Sequence, residues 1–210
     1  MATEIEMKLS FTELKSEPSL EALTEVLAGE DLNVKIKENR LENAYFDTPD
    51  FSLNKNKVAL RIRQFINSQG DQVFIQTFKT AGQSVDGLSQ RGEWEWYLAE
   101  NKLDVTQLKQ CEAWPVSIDT ENLVTLFETN FTRYIFDVEW ADSVVELVLD
   151  WGEILSNNQQ EKIHEIELEL KQGNQQDLIA LANVLMEKLP LRASDISKAE
   201  RGVKLFQTSK

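Results

Sequence analysis

The stretch KIHEIELELK, residues Lys162–Lys171, puts Glu165, Glu167 and Glu169 at every second position, with Ile166, Leu168 and Leu170 between them. Alternate side chains of an extended strand fall on opposite faces. Three carboxylates therefore share one face and three aliphatic side chains the other. Two settings fit such a strand: a sheet with one solvated face, or the wall of a charged cavity. Like charges two residues apart repel, and a face selected for stability would more often mix signs.

The pattern recurs along the chain. In TEIEMKLSF (3–11), Glu4, Glu6 and Lys8 alternate with Ile5, Met7 and Leu9. ALRIRQF (59–65) carries Arg61 and Arg63 on one face, and in QVFIQTFK (72–79) Lys79 shares a parity with Thr77. QRGEWEWYL (90–98) sets Arg91, Glu93 and Glu95 against Trp94 and Trp96. Arg133 lies in NFTRYIF, and Asp150 follows Glu146 and Val148 in ELVLDW. Lys198 and Arg201 are i, i+3 neighbours on an expected helix.

Around these segments the periodicity predicts strands at Thr3–Phe11, Asn33–Asp47, Val58–Ile66, Asp71–Thr80, Gln90–Leu98, Phe131–Trp140, Val144–Trp151 and Gln160–Lys171. It predicts helices at Glu17–Gly29, Glu121–Glu128 and Gln175–Leu189, and a last one N-capped by Ser194 and running to about Phe206. AGQSVDG (81–87) reads as a loop. Strand following strand points to an α+β fold with an antiparallel sheet, and so many strands close naturally into a barrel.

Composition narrows the function. The 210 residues fit a single domain, 1–210, with 41% hydrophobic and 28% charged residues. No run approaches the ~20 apolar residues of a spanning helix, and the MATEIEMK start has neither a basic nor an apolar signal region. Cys111 is the only cysteine, so no internal disulfide forms, and the cytoplasm is the expected location. A net charge of −14 disfavours nucleic acid and anionic membrane as partners. One histidine, His164, excludes a His-rich zinc site, and no P-loop or GxGxxG is present. Nothing around Cys111 suggests an activated thiol.

If the charged faces turn inward, the lumen holds both signs. Such a lumen is costly unless it is hydrated or filled. A polyanion with divalent cations would fill it: Arg and Lys grip phosphate oxygens, and carboxylates hold hard cations such as Mg²⁺ or Mn²⁺.

Taken in order, ExExK (Glu4–Lys8), LRIR (Leu60–Arg63), Lys79, RxExE (Arg91–Glu95), Arg133, Asp150, ExExE (Glu165–Glu169) and SKAxRG (Ser197–Gly202) resemble the CYTH domain, the triphosphate tunnel metalloenzymes. YFDTP (45–49) is also similar to a segment of that family, and the closest likeness is to its bacterial inorganic triphosphatases. The resemblance implies an antiparallel eight-stranded closed barrel with a charged interior and helices packed outside. It implies Lys8, Arg61, Arg63, Lys79, Arg91, Arg133, Lys198 and Arg201 as ligands of a triphosphate or related polyphosphate. Glu4, Glu6, Asp150, Glu165, Glu167 and Glu169 would bind Mg²⁺ or Mn²⁺ or orient water. Glu4, Glu6, Lys8 and Lys79 would stand nearest the chemistry, and Glu93 and Glu95 are tunnel acids that could pair with its bases. The implied reaction is hydrolysis of inorganic triphosphate to pyrophosphate and phosphate. The same scaffold also hosts class IV adenylate cyclase and thiamine or nucleoside triphosphatase activities, and a non-catalytic polyphosphate-binding module is a further alternative. Some bacterial members carry a C-terminal CHAD domain, so a stand-alone domain and a piece of a longer parent chain are both open. Lys35, Lys37, Lys55 and Lys57 fall outside the motifs and read as surface charges.

Overall fold

The computed structural model describes residues 2–13, 19–30, 32 and 34–208. Among the described residues ten strands form one antiparallel sheet: β1 (Ala2–Phe11), β2 (Ile36–Asp47), β3 (Ala59–Ile66), β4 (Gln72–Lys79), β5 (Gln83–Val85), β6 (Leu88–Leu98), β7 (Val124–Trp140), β8 (Ser143–Ser156), β9 (Gln159–Gln172) and β10 (Leu191–Ala193). The order β1-β9-β8-β7-β2-β3-β4-β6, closed by the β6–β1 pairing, makes an eight-stranded barrel, and β5 and β10 are short additions to β6 and β1. The helices are α1 (Leu20–Gly29), α2 (Ser52–Lys55), α3 (Val105–Gln110), α4 (Gln175–Lys188) and α5 (Lys198–Thr208). Among the described residues no helix is long and apolar enough to cross a membrane.

The apolar face of each strand turns outward. Met7, Leu9, Leu147, Leu149, Ile166 and Leu168 pack with Leu23 and Leu27 of α1 and with Leu178, Leu181 and Leu185 of α4. On the other side, Leu60, Phe78, Trp94 and Trp96 pack with Leu53 of α2, Leu108 of α3 and Trp114. Each such side chain buried contributes roughly 1.5–3 kcal/mol, so the layer between barrel and helices carries the hydrophobic stabilisation.

A third cluster interrupts the charged interior. Leu41, Tyr45, Phe127, Phe131, Ile154 and Ile163 pack against Val203 of α5. Gly202 lets the helix approach: a Cβ there would lie 2.1–2.4 Å from atoms of the Phe127 ring, which is itself stacked on Tyr45. Gly202→Ala therefore overpacks this contact by about 1–3 kcal/mol, a fall in Tm of about 2–12 °C at this chain length. An unchanged thermal melt would mean that α5 is not seated on Phe127.

Three expectations from the sequence are corrected. The helix expected at Glu121–Glu128 is only a 3-10 turn at Thr120–Asn122, because Val124, Thr125, Phe127 and Thr129 enter β7 and pair with β2. The loop 81–87 contains β5, which pairs with β6. The last helix is capped by Ser197, not Ser194: Ser197 Oγ accepts from the Glu200 N–H at 3.1 Å while the Glu200 carboxylate accepts from the Ser197 N–H at 2.8 Å, a capping box. Glu17, Pro18 and Asn33, assigned to a helix and a strand from the sequence, lie outside the described residues.

Candidate active site

The polar parity of the strands faces a cavity of about 500 Å³ inside the barrel. Cross-strand register decides which charges meet there. Glu4 lies opposite Arg91, Lys8 opposite Glu167, and Lys79 opposite Glu93. Arg133 lies opposite Asp150, which lies opposite Glu165.

The first group spans β1, β4 and β6. Lys79 Nζ donates to both Glu4 oxygens at 2.7 and 2.9 Å and lies 3.3 Å from Glu93. Arg91 Nε donates to Glu4 at 2.9 Å, and its Nη2 reaches Glu6 at 3.5 Å. Burial opposes ionisation of Glu4, but Lys79 and Arg91 outweigh it and hold the carboxyl far below its usual range. Glu6 goes the other way: burial, then the nearby Glu167, push it up. One Glu6 oxygen, Oε1, has no hydrogen-bond partner among the described residues, and the nearest ammonium, Lys8, stands 3.7 Å away.

The second group joins β7, β8 and β9 to α5. Arg133 grips Asp150 through two bonds of 2.7 Å and donates to Glu167 at 2.8 Å. Lys198 Nζ lies 2.7 Å from Asp150, 2.5 Å from Glu165 and 2.9 Å from Glu167. Burial disfavours the charged ammonium, but these three carboxylates outweigh it and raise its pKa well above the lysine range. Arg201 donates to Glu165 at 2.8 Å and to Glu161 at 2.6 Å.

The third group differs in kind. Arg61 and Arg63 lie opposite Tyr45 and Asn43 of β2. Arg63 Nε donates to Asn43 Oδ1 at 2.9 Å, and Arg61 Nη1 reaches the Tyr45 hydroxyl at 3.5 Å. Among the described residues neither guanidinium has a carboxylate within ion-pair distance, and Arg61 Nε has no hydrogen-bond partner. Burial first, then Arg61 and Arg133, disfavour the charge on Arg63. A guanidinium keeps its proton in a protein, so only an arriving anion relieves this.

Most residues expected from the motifs meet in this cavity: Glu4, Glu6, Lys8, Lys79, Arg91, Glu93, Glu95, Arg61, Arg63, Arg133, Glu167, Glu169 and Lys198 all line it. Asp150, Glu165 and Arg201 do not reach its surface, and Asp150 and Glu165 lie buried behind Lys198. Glu95 accepts from Thr77 at 3.2 Å, and Glu169 pairs with Lys171 at 2.8 Å. Asn43 and Glu161 escaped sequence reasoning because neither falls in one of the motifs, and Tyr45 is marked only as part of YFDTP, without a role beside Arg61. Lys57, read as a surface charge, is exposed but lines the cavity, and the alternation Lys57–Ala59–Arg61–Arg63 was the available signal.

The donor set suits a divalent cation. Asp150, Glu165 and Glu167 bring carboxylate oxygens within 4.8 Å of one another. Hard oxygen ligands of this kind fit Mg²⁺ or Mn²⁺, and the Lys198 ammonium already stands among them as a cation.

A family model for the CYTH domain matches residues 2–203. An inorganic triphosphatase of Haemophilus influenzae is 37% identical over 163 residues, which cover 77% of this chain and 45% of that protein. The chain thus spans less than half the length of this relative. A solved structure from Hippeastrum, a candidate adenylyl cyclase described as having a dominant triphosphatase activity, superposes with a TM-score of 0.64 at 21% identity, covering 99% of this chain and 96% of the other. A Pyrococcus horikoshii protein gives 0.61 at 20% identity, covering 96% and 98%. At those identities the likeness concerns the fold: the closed barrel with helices outside. With all ten strands inside the matched region and the ordered motifs on the inner face of the barrel, the chain belongs to the CYTH domain family.

Proposed function

We propose that the chain hydrolyses a phosphoanhydride bond of inorganic triphosphate, giving pyrophosphate and phosphate, with Mg²⁺ or Mn²⁺ as cofactor, as one domain over 1–210 acting in the cytoplasm. The observation that carries this reading is the Arg61–Arg63 pair: two half-buried guanidiniums with no carboxylate within ion-pair distance among the described residues, in a protein of net charge −14. A site built that way wants a compact polyanion. The inorganic triphosphatase relative supports the substrate class.

In this mechanism Arg61 and Arg63 take the first phosphoryl oxygens in bidentate fashion. Lys8, Lys79, Arg91 and Arg133, which share the cavity, spread over the rest of the chain and neutralise charge as it builds on the transferred phosphoryl. Arg201 acts from behind, holding Glu165 and Glu161. Glu6 orients the attacking water through the oxygen that has no hydrogen-bond partner among the described residues, and Glu4 holds Lys79 and Arg91 in place. Bound at the carboxylates, a divalent cation supplies Lewis-acid stabilisation of phosphoryl charge.

The test is phosphate release from triphosphate, ATP, thiamine triphosphate, pyrophosphate and long polyphosphate, each with Mg²⁺ and with Mn²⁺. Release from triphosphate that EDTA abolishes is the expected result. Binding without release would favour the polyphosphate-binding module, and conversion of ATP to cyclic AMP the cyclase. Glu6→Gln is expected to lower kcat by about 10²–10³, the usual loss for one aligned group, with an unaltered melt. Near-wild-type turnover in that variant would remove Glu6 from the mechanism.

A further inference from the structure

The three carboxylates that suit a metal are neutralised by the chain's own cations. Asp150, Glu165 and Glu167 meet Lys198, Arg133 and Arg201, three acids against three bases. Lys198 is 6% exposed, and behind it Asp150 and Glu165 are 0% and 1% exposed. Lys198 and Arg133 line the cavity, whereas Asp150 and Glu165 do not. A divalent ion arriving from the cavity meets an ammonium and a guanidinium before two of its three ligands. Like charges a few ångströms apart repel strongly where water is scarce, and a divalent ion doubles the repulsion. While Lys198 stays, it holds the position among these acids that a metal ion would take.

Lys198 is also the most movable member of the group. Its charge sits on a flexible four-carbon stem at the first residue of α5, whereas Arg133 is pinned by a bidentate contact. What draws it away is an anion in the same cavity.

We propose that Lys198 is a placeholder cation that makes metal and polyanion load the tunnel together. In the free protein it keeps the buried acids compensated and the metal out. An anion held by Arg61 and Arg63 draws the ammonium into the cavity, and the vacated carboxylates accept the divalent ion. By linkage, each ligand then raises the affinity for the other by the same factor. This rests on the triphosphate reading of the cavity and adds an order of assembly to it.

The experiment measures Mn²⁺ binding to the whole chain from the electron paramagnetic resonance signal of free Mn²⁺, with no turnover involved. Wild type is titrated alone and with sulfate, a tetrahedral dianion that chelates Mn²⁺ weakly. Lys198→Met is titrated alone. The expected result is at least tenfold tighter Mn²⁺ binding in K198M than in wild type, and severalfold tightening of wild type by sulfate. If K198M binds Mn²⁺ no better than wild type, the proposal is wrong. It is equally wrong if only triphosphate, and never sulfate, tightens the wild-type site, because chelation by the substrate then explains the coupling. Should K198M unfold without metal, the sulfate arm on wild type decides alone. A protein that couples Mn²⁺ to sulfate but releases no phosphate would leave this inference standing and sink the triphosphatase reading.

Discussion

Arg63→Met is expected to cut triphosphate affinity by two to four orders of magnitude and to leave the protein as stable as before, or more so. The two effects have one cause. Arg63 is half-buried, is hydrogen-bonded among the described residues only to Asn43, and has its charge disfavoured by desolvation and by Arg61 and Arg133. Replacing a half-buried charge that lacks a carboxylate partner by an apolar side chain of similar length removes a desolvation cost. If Arg63 takes phosphate as proposed, the same replacement deletes two charge-assisted hydrogen bonds, together about 3–6 kcal/mol, or roughly 10²–10⁴ in Kd. Calorimetric titration without metal reads the affinity and a thermal melt reads the stability. Retained affinity, or a clear fall in Tm, would show that Arg63 serves the fold rather than an anion.

Asp150→Ala should do the opposite to stability. Asp150 is fully buried, takes both arms of Arg133, and touches Lys198 at 2.7 Å. Its removal leaves Arg133 and Lys198 with only Glu165 and Glu167 to share with Arg201, one cation short of a partner carboxylate, a loss of about 3–5 kcal/mol. At this chain length that lowers Tm by about 6–20 °C. Asp150→Asn keeps part of the hydrogen bonding and should lose less. If D150A melts with the wild type, the Arg133–Asp150–Lys198 network is not a structural strut. The two variants together separate the halves of the tunnel: one wall is strained toward an anion, and the other is satisfied in its absence.

The alternation made the barrel legible. Strands such as HEIELEL and EIEMK carry a period of 2 that is insensitive to context, and one-residue register fixes which face turns inward. The ordered motifs then marked the residues that meet in the cavity. What the alternation could not convey was pairing. Nothing in the linear order says that Lys198, on a helix far along the chain, closes over Asp150 and Glu165, since that contact depends on how α5 packs on β7, β8 and β9. The Glu121–Glu128 expectation failed because pairing with β2 outweighed local propensity. The apolar cluster around Phe127 and Phe131 was hidden because those aromatics share the parity of Arg133, so the pattern marked the face without telling which part of it is dry. Ser197 lost to Ser194 as a cap only because Glu200, three residues on, was not weighed as its partner.

The contrast between an acidic exterior and an anion-hungry lumen bears on traffic. At net charge −14 the long-range field repels a bare polyphosphate before any contact forms. Added salt screens that field over a Debye length of about 10 Å at 0.1 M. Encounter should therefore quicken with moderate ionic strength, the reverse of an electrostatically steered enzyme. A chain already escorted by divalent ions arrives with most of its charge cancelled and escapes the repulsion. The shell then works as a customs barrier, turning back naked polyanions and admitting those that carry their own counterions.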